Sequence, residues 1–215
     1  MRFSNKEGIT VVHAIIEEIV SNRDYLSKVD AAVGDGDHGI NMSKGFNMAD
    51  KEIAGSDLNM NEGFLVISKT LISKIGGSMG PLYGNFFRGL SVASKEKEMI
   101  DSSVILEMLK KAYSNITLIT DASEGDKTLI DVLSPAITAY KINYKNDHSL
   151  PDCLNEMMAK AKEGLENTKN MTAKVGRGSR LGDRTLGHQD AGATSCYLIL
   201  KAFSSSITKI VNAES

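Results

Sequence analysis

The chain has 215 residues, of which 25 are basic and 27 acidic, giving a formal net charge of −2. At about 100–200 residues per domain, this length predicts a single domain over residues 1–215, and the balanced charge argues against a strong electrostatic footprint for nucleic acid. With 41% hydrophobic and 24% charged residues, no run approaching 18 apolar residues and no apolar signal-peptide core at the start, the expectation is a cytoplasmic globule with no membrane contact.

Taken in chain order, the apolar residues recur at helical spacing. Ser4 and Glu7 form a capping-box pattern ahead of Ile9, Val12, Ile16, Ile19 and Val20. Further stripes are Met42, Phe46, Ala49, Ile53; Phe64, Ile67, Leu71, Ile75; and Tyr83, Phe86, Phe87, Leu90. Then come Ile105, Met108, Leu109, Ala112, and Leu129, Leu133, Ile137, Tyr140, the latter interrupted by Pro135. Ser149, Pro151 and Asp152 mark the start of a seventh helix carrying Leu154, Met157, Met158, Ala161 and Leu165. The last stripe holds Cys196, Ile199, Phe203 and Ile210. Eight helices and no period-2 strand predict an all-α fold, an antiparallel eight-helix bundle or barrel with ligand sites between helices at its mouth. Cys153 and Cys196 match no metal spacing and read as buried thiols.

Glycines gather between the helices, at residues 34–39, 76–80, 125 and 176–192. These are alternate connections, so an up-and-down bundle brings them to one end, the expected active end.

Asp30, Asp35 and Asp37 fall within eight residues, and three such carboxylates repel one another. A hard cation such as Mg²⁺ relieves that repulsion; a glycine-rich turn of solvated aspartates is the alternative. The segment is no EF-hand, because Asn41, Phe46 and Met48 stand where the twelfth-position acid belongs. Gly34-x-Gly36-x-x-Gly39 matches a dinucleotide fingerprint without the strand–helix context. Ile40-Asn41 stand where a Walker A motif has Lys-Ser/Thr. A better logic is that aspartates hold metal, metal holds phosphate, and the amides of His38, Gly39, Ile40 and Asn41 face the same anion from a helix N-terminus.

The stretch Gly76 to Gly80 also opens a helix, with the Ser78 hydroxyl beside it; it serves a phosphate or is simply a tight turn. Arg177, Arg180 and Arg184 pair with phosphate or are solvated. Asp190 is placed to cap the last helix, and Gly192 allows close backbone approach. His38 and His188 lack a Ser or Cys partner pattern, which argues against covalent catalysis; His13 and His148 read as structural.

Jointly the motifs are specific. Gly34-Asp35-Gly36-Asp37-His38-Gly39, then Gly76 to Gly84, then Gly125-Asp126-Lys127-Thr128 with Asp131, then Gly187-His188-Gln189-Asp190-x-Gly192-Ala193-Thr194-Ser195 occur in this order. Over nearly its whole length the chain resembles the nucleotide-binding L subunits of dihydroxyacetone kinases. The resemblance implies an eight-helix barrel holding ADP or ATP as a tightly bound coenzyme through two Mg²⁺ ions. It implies Asp30, Asp35 and Asp37 as metal ligands and phosphate contacts from His38, Gly39, Ile40, Asn41, Ser78 and Met79. Leu129, Arg177, Asp190, Ala191 and Gly192 would line the rest of the nucleotide pocket. The chain departs from the family pattern at Thr120, where a glycine is usual, and at Ala191, where proline is usual.

The resemblance further implies a separate dihydroxyacetone-binding K subunit and a phosphotransferase-system phosphoprotein, the M subunit, that rephosphorylates ADP in place. No catalytic base is expected on this chain. The length, which fits the L part alone, favours the phosphotransferase-linked type over a K–L fusion. Alternatives are a kinase on the same module for another short ketose or a fatty acid, and a regulatory module whose nucleotide state is read by a partner such as a transcription regulator.

Overall fold

The computed structural model describes residues 1–213. Every apolar stripe lies on a helix: α1 (Ile9–Ser21), α3 (His38–Ile53), α4 (Met60–Lys74), α5 (Met79–Ser94), α6 (Ser102–Thr117), α7 (Ile130–Lys145), α8 (Leu150–Asn167) and α9 (Ala191–Ala213). A short extra helix, α2 (Arg23–Ala31), follows α1 after a break at Asn22. Its only buried residue is Leu26, so it leaves no apolar stripe in the sequence.

The eight long helices close into a ring. Each of α3 to α8 packs on its chain neighbours, α9 packs on α8 and α1, and α1 packs on α3. Their inward faces form one core, centred on Phe46, Phe64, Phe86 and Phe87. Phe87 meets the rings of Phe46 and Phe86 edge-on at 5.6 and 5.2 Å. Burying each such ring stabilises the fold by about 1.5–3 kcal/mol. The helix α2 lies outside the ring, against α3 and α9. It approaches α3 at Gly39, where an added Cβ would lie 2.0 Å from the Arg23 carbonyl and 2.6 Å from the Ser27 amide.

One small feature departs from the strand-free expectation. Residues Arg2–Ser4 (β1) pair antiparallel with Met99–Asp101 (β2), with Phe3 opposite Ile100. Three-residue strands are too short to show an alternating pattern. The Ser4–Glu7 box forms, but it closes the turn before α1; the helix itself starts after Gly8 without a side-chain cap.

The two ends of the ring differ in how their helices begin. At the end bearing β1 and β2, α4 starts on an Asn59–Glu62 capping box. There too α6 starts on Asp101, and α8 on Ser149 with proline in its first turn. At the other end α3, α5 and α7 have no side-chain cap. The first N–H of α3 is met by the Asp30 carboxylate and that of α7 by the Thr128 hydroxyl, and each of the three helices turns the positive end of its dipole toward this end.

Candidate functional site

That end holds a cavity of about 580 Å³. The connections α2–α3, α4–α5, α6–α7 and α8–α9 all contribute to its wall, so the N-termini of α3, α5, α7 and α9 converge there. The glycine clusters lie in these same four connections. Among the sequence-predicted residues, Asp30, Asp35, Asp37, His38, Asn41, Ser78, Met79, Leu129, Arg177, Asp190, Ala191 and Gly192 line the cavity. Gly39 and Ile40 do not: Gly39 is buried against α2, and the Ile40 side chain is exposed.

The three aspartates meet at the rim. One oxygen from each of Asp30, Asp35 and Asp37 lies within 4.8 Å of the others. Asp30 comes from the last turn of α2, Asp35 from the loop and Asp37 from the N-cap of α3. Gly36, at φ +77°, turns the chain between the last two. The Arg177 guanidinium is ion-paired with Asp35 and lies 3.4 Å from Asp37. It occupies the electrostatic position of a cation.

Two of the four first-turn amides of α3 already have acceptors within the chain. The His38 N–H donates to Asp30 Oδ2 at 3.3 Å, and the Asn41 N–H donates to the Asp37 carbonyl at 2.9 Å. The amides of Gly39 and Ile40 have no acceptor among the described residues, and neither residue lines the cavity.

Behind the cavity, a buried polar chain ties three helices together. His38 Nε2 lies 2.8 Å from Ser195 Oγ, and Ser195 Oγ lies 2.5 Å from Tyr83 Oη. The Tyr83 hydroxyl donates to the Gly192 carbonyl at 2.8 Å. Burial lowers the His38 pKa to about 4, against a smaller raising effect of Asp30, so the ring is neutral at pH 7. Burial likewise pushes the Tyr83 hydroxyl well above its usual range.

On the far wall, Asp131 closes the Gly125–Thr128 turn, accepting from the Gly125 and Thr128 amides. That turn holds Lys127 at φ +61° and buries it. Its ammonium donates to the carbonyls of Met171, Thr185 and His188, and burial lowers its pKa. One lysine thus gathers the segment carrying Arg177 and Asp190. That segment, read as a loop in the sequence, includes 3₁₀ turns over Arg177–Thr185 with a kink at Gly182. Arg180 and Arg184 are exposed and do not line the cavity, and the His188 side chain is exposed.

Asp190 caps α9, accepting from the Ala193 N–H at 2.7 Å. Burial raises its carboxyl pKa to about 6, only partly offset by the Ala193 bond and by Lys127. Thr120 lines the cavity, and its Oγ1 accepts from the Ala122 amide at 3.2 Å. Sequence reasoning missed the positions of Tyr83 and Lys127; the available signals were a hydroxyl on an otherwise apolar stripe and a lysine inside a glycine turn.

Comparison with known proteins is concordant with this architecture. Residues 32–205 match the model of the DAK2 domain. The chain is 33% identical over 181 residues to the "PEP-dependent dihydroxyacetone kinase, ADP-binding subunit DhaL" of Escherichia coli, covering 83% of this chain and 85% of that protein. It is 38% identical over 184 residues to the "PTS-dependent dihydroxyacetone kinase, ADP-binding subunit DhaL" of Lactococcus lactis, covering 85% and 88%. The crystal structure of the C. freundii dihydroxyacetone kinase with AMP-PNP and Mg²⁺ superposes with a TM-score of 0.69 at 25% identity. That superposition covers 91% of this chain but only 33% of that longer one. The chain belongs to the DAK2 domain family, alongside the DhaL subunits of dihydroxyacetone kinases.

Proposed function

We propose that this chain is the ADP- and ATP-binding subunit of a phosphoenolpyruvate-dependent dihydroxyacetone kinase. The observation that carries this reading is the carboxylate cluster at the rim of a cavity onto which four helix N-termini open. A polyphosphate needs both halves of that arrangement: cations between it and the aspartates, and N–H groups on its other side. The residues fit such cations, since three oxygen donors converge and an arginine already neutralises two of them.

In this reading Asp30, Asp35 and Asp37 hold two Mg²⁺ ions. The first turns of α3 and α5, with Ser78 and Met79, contact the phosphates. Leu129, Ala191 and Gly192 border the rest of the nucleotide, with Asp190 fixing the N-terminus of α9. Arg177 exchanges its carboxylate partners for phosphate oxygens. Bound Mg²⁺ supplies neutralisation of the charge that develops during phosphoryl transfer.

The chain's own contribution is positioning. Burial makes His38 a weak base and its Nε2 is engaged by Ser195, and Asp190 is spent on a helix cap, so neither is placed as a general base. The base for the sugar hydroxyl then belongs to the K subunit, which binds dihydroxyacetone. The relatives matched over most of their own length carry PEP-dependent or PTS-dependent names, whereas the C. freundii kinase is about three times longer than the matched region. This supports the type in which a phosphoprotein M subunit rephosphorylates ADP in place, in the cytoplasm.

The direct test is nucleotide content. The chain purified without added nucleotide is denatured, and the supernatant is resolved against AMP, ADP and ATP. Close to one ADP per chain, released by chelating Mg²⁺, is expected. If the chain carries no nucleotide and calorimetric titration with Mg-ADP and Mg-ATP also shows no binding, the proposal fails.

A further inference from the structure

We infer that Gly34 is a positioning residue for the carboxylate centre, and that it acts through the side chain of Asp30. This inference rests on the metal reading above.

Two glycines flank Asp35, and they are glycine for different reasons. Gly36 has φ +77°, a backbone conformation that L side chains rarely adopt. Gly34 has no such conformation, so its backbone accepts any residue. What Gly34 lacks is room. A Cβ built there would lie 2.5 Å from Asp30 Oδ1, 3.1 Å from Asp30 Cγ and 3.1 Å from the Asp30 carbonyl oxygen. The reason lies four residues upstream. The Gly34 N–H donates to the Asp30 carbonyl at 2.6 Å, so the chain continues one helical turn beyond α2 and folds Gly34 over Asp30.

That contact decides where the Asp30 carboxylate sits. Oδ1 rests against Gly34, and Oδ2 accepts from the His38 amide at 3.3 Å, which ties the end of α2 to the start of α3. The carboxylate is thereby held within 4.8 Å of the donor oxygens of Asp35 and Asp37. A methyl group at position 34 displaces it. The end of a side chain can rotate away with little cost to the fold, while the Asp30 carbonyl has to yield by only a few tenths of an ångström. The same rotation moves one of three ligands out of the cluster and releases the His38 amide.

The expected signature is therefore lost metal affinity with retained stability. Groups that orient ligands typically change metal affinity by 10–100-fold when altered. Mn²⁺ is titrated into the intact chain, with and without ADP, and free ion is followed by electron paramagnetic resonance. The unsubstituted chain is compared with Gly34→Ala, Asp30→Asn and the double variant, each also followed by thermal unfolding. Gly34→Ala should bind Mn²⁺ about tenfold more weakly or worse with nearly unchanged unfolding temperature. In the Asp30→Asn background, Gly34→Ala should have little further effect, because the charged ligand that it displaces is already gone.

Unchanged Mn²⁺ binding in Gly34→Ala overturns the inference while leaving the metal site standing. Losses that add fully in the double variant also overturn it, since they show an effect that bypasses Asp30. Failure of the unsubstituted chain to bind Mn²⁺, with or without ADP, overturns the metal reading and this inference with it.

Discussion

His38 Nε2 and Ser195 Oγ, 157 positions apart in sequence, lie 2.8 Å apart beneath the cavity floor. Through Ser195 the first residue of α3 is joined to Tyr83 of α5, and Tyr83 reaches Gly192 of α9. Three of the four helix starts that face the cavity are thus fixed to one another by side chains rather than by ligand. Ser195→Ala removes the shared partner and leaves the buried His38 nitrogen unpaired. A cost of about 1–3 kcal/mol is expected, read as a lowered denaturation midpoint, together with faster ADP release. Equal stability and equal release would show that the three helices are held by apolar packing alone.

Lys127 holds the opposite wall. Lys127→Met leaves three carbonyls, those of Met171, Thr185 and His188, without their buried cation. The loss should reach about 3 kcal/mol or more, since bonds to charged groups are the stronger kind. Limited proteolysis should then cut between residues 171 and 190 well before the rest of the chain, and ADP retention should fall. A digestion pattern like that of the unsubstituted chain would argue against this role.

Arg177 is paired with the carboxylates that are proposed to bind cations. Arg177→Ala removes a competitor from the centre, so Mn²⁺ alone should bind more tightly, by at most about fivefold given the exposure of the pair. ADP retention should move the other way, because a phosphate contact is lost. If both quantities fall together, Arg177 supports the metal centre instead of competing for it.

Asp190 gives a pH signature. Its folded-state pKa of about 6 lies above the ordinary carboxylate value of 3.8. The native state therefore holds this proton more tightly than the unfolded chain, and the associated stability is present below about pH 4 and lost as pH rises through 6. Asparagine keeps an oxygen for the Ala193 amide but does not titrate. The stability of Asp190→Asn relative to the unsubstituted, nucleotide-free chain should rise between pH 4 and 7, by on the order of 3 kcal/mol. A difference that stays constant across that range would contradict the assignment.

Gly39→Ala should separate fold from site in the opposite sense to Gly34→Ala. Its methyl meets backbone of α2 rather than the end of a side chain, and backbone cannot step aside. Overpacking of about 1–3 kcal/mol is expected. Mn²⁺ affinity should fall as well, because α2 carries Asp30. Unchanged unfolding would mean that α2 floats on α3 and does not set the spacing of the carboxylates.

How much of this was legible follows from the range of each signal. The eight stripes appear in the sequence because each helix must turn one apolar face inward, and that 3.6-residue period is local. The helix start at Ser149 and the Asp30, Asp35, Asp37 cluster are local too. Helix α2 escaped because one buried residue, Leu26, makes no period. Ile40 is read as phosphate-facing through its backbone amide, and its side chain is exposed to solvent, a direction that a motif alone does not contain. The sequence by itself determined the helices, the breaks between them and the chemical character of each break. Only the tertiary structure decided that the ring closes through α9 on α1, that four helix starts face one cavity, and that Lys127 and Ser195 find partners tens of residues away. Those meetings depend on how helices pack across the core, which no window along the chain contains.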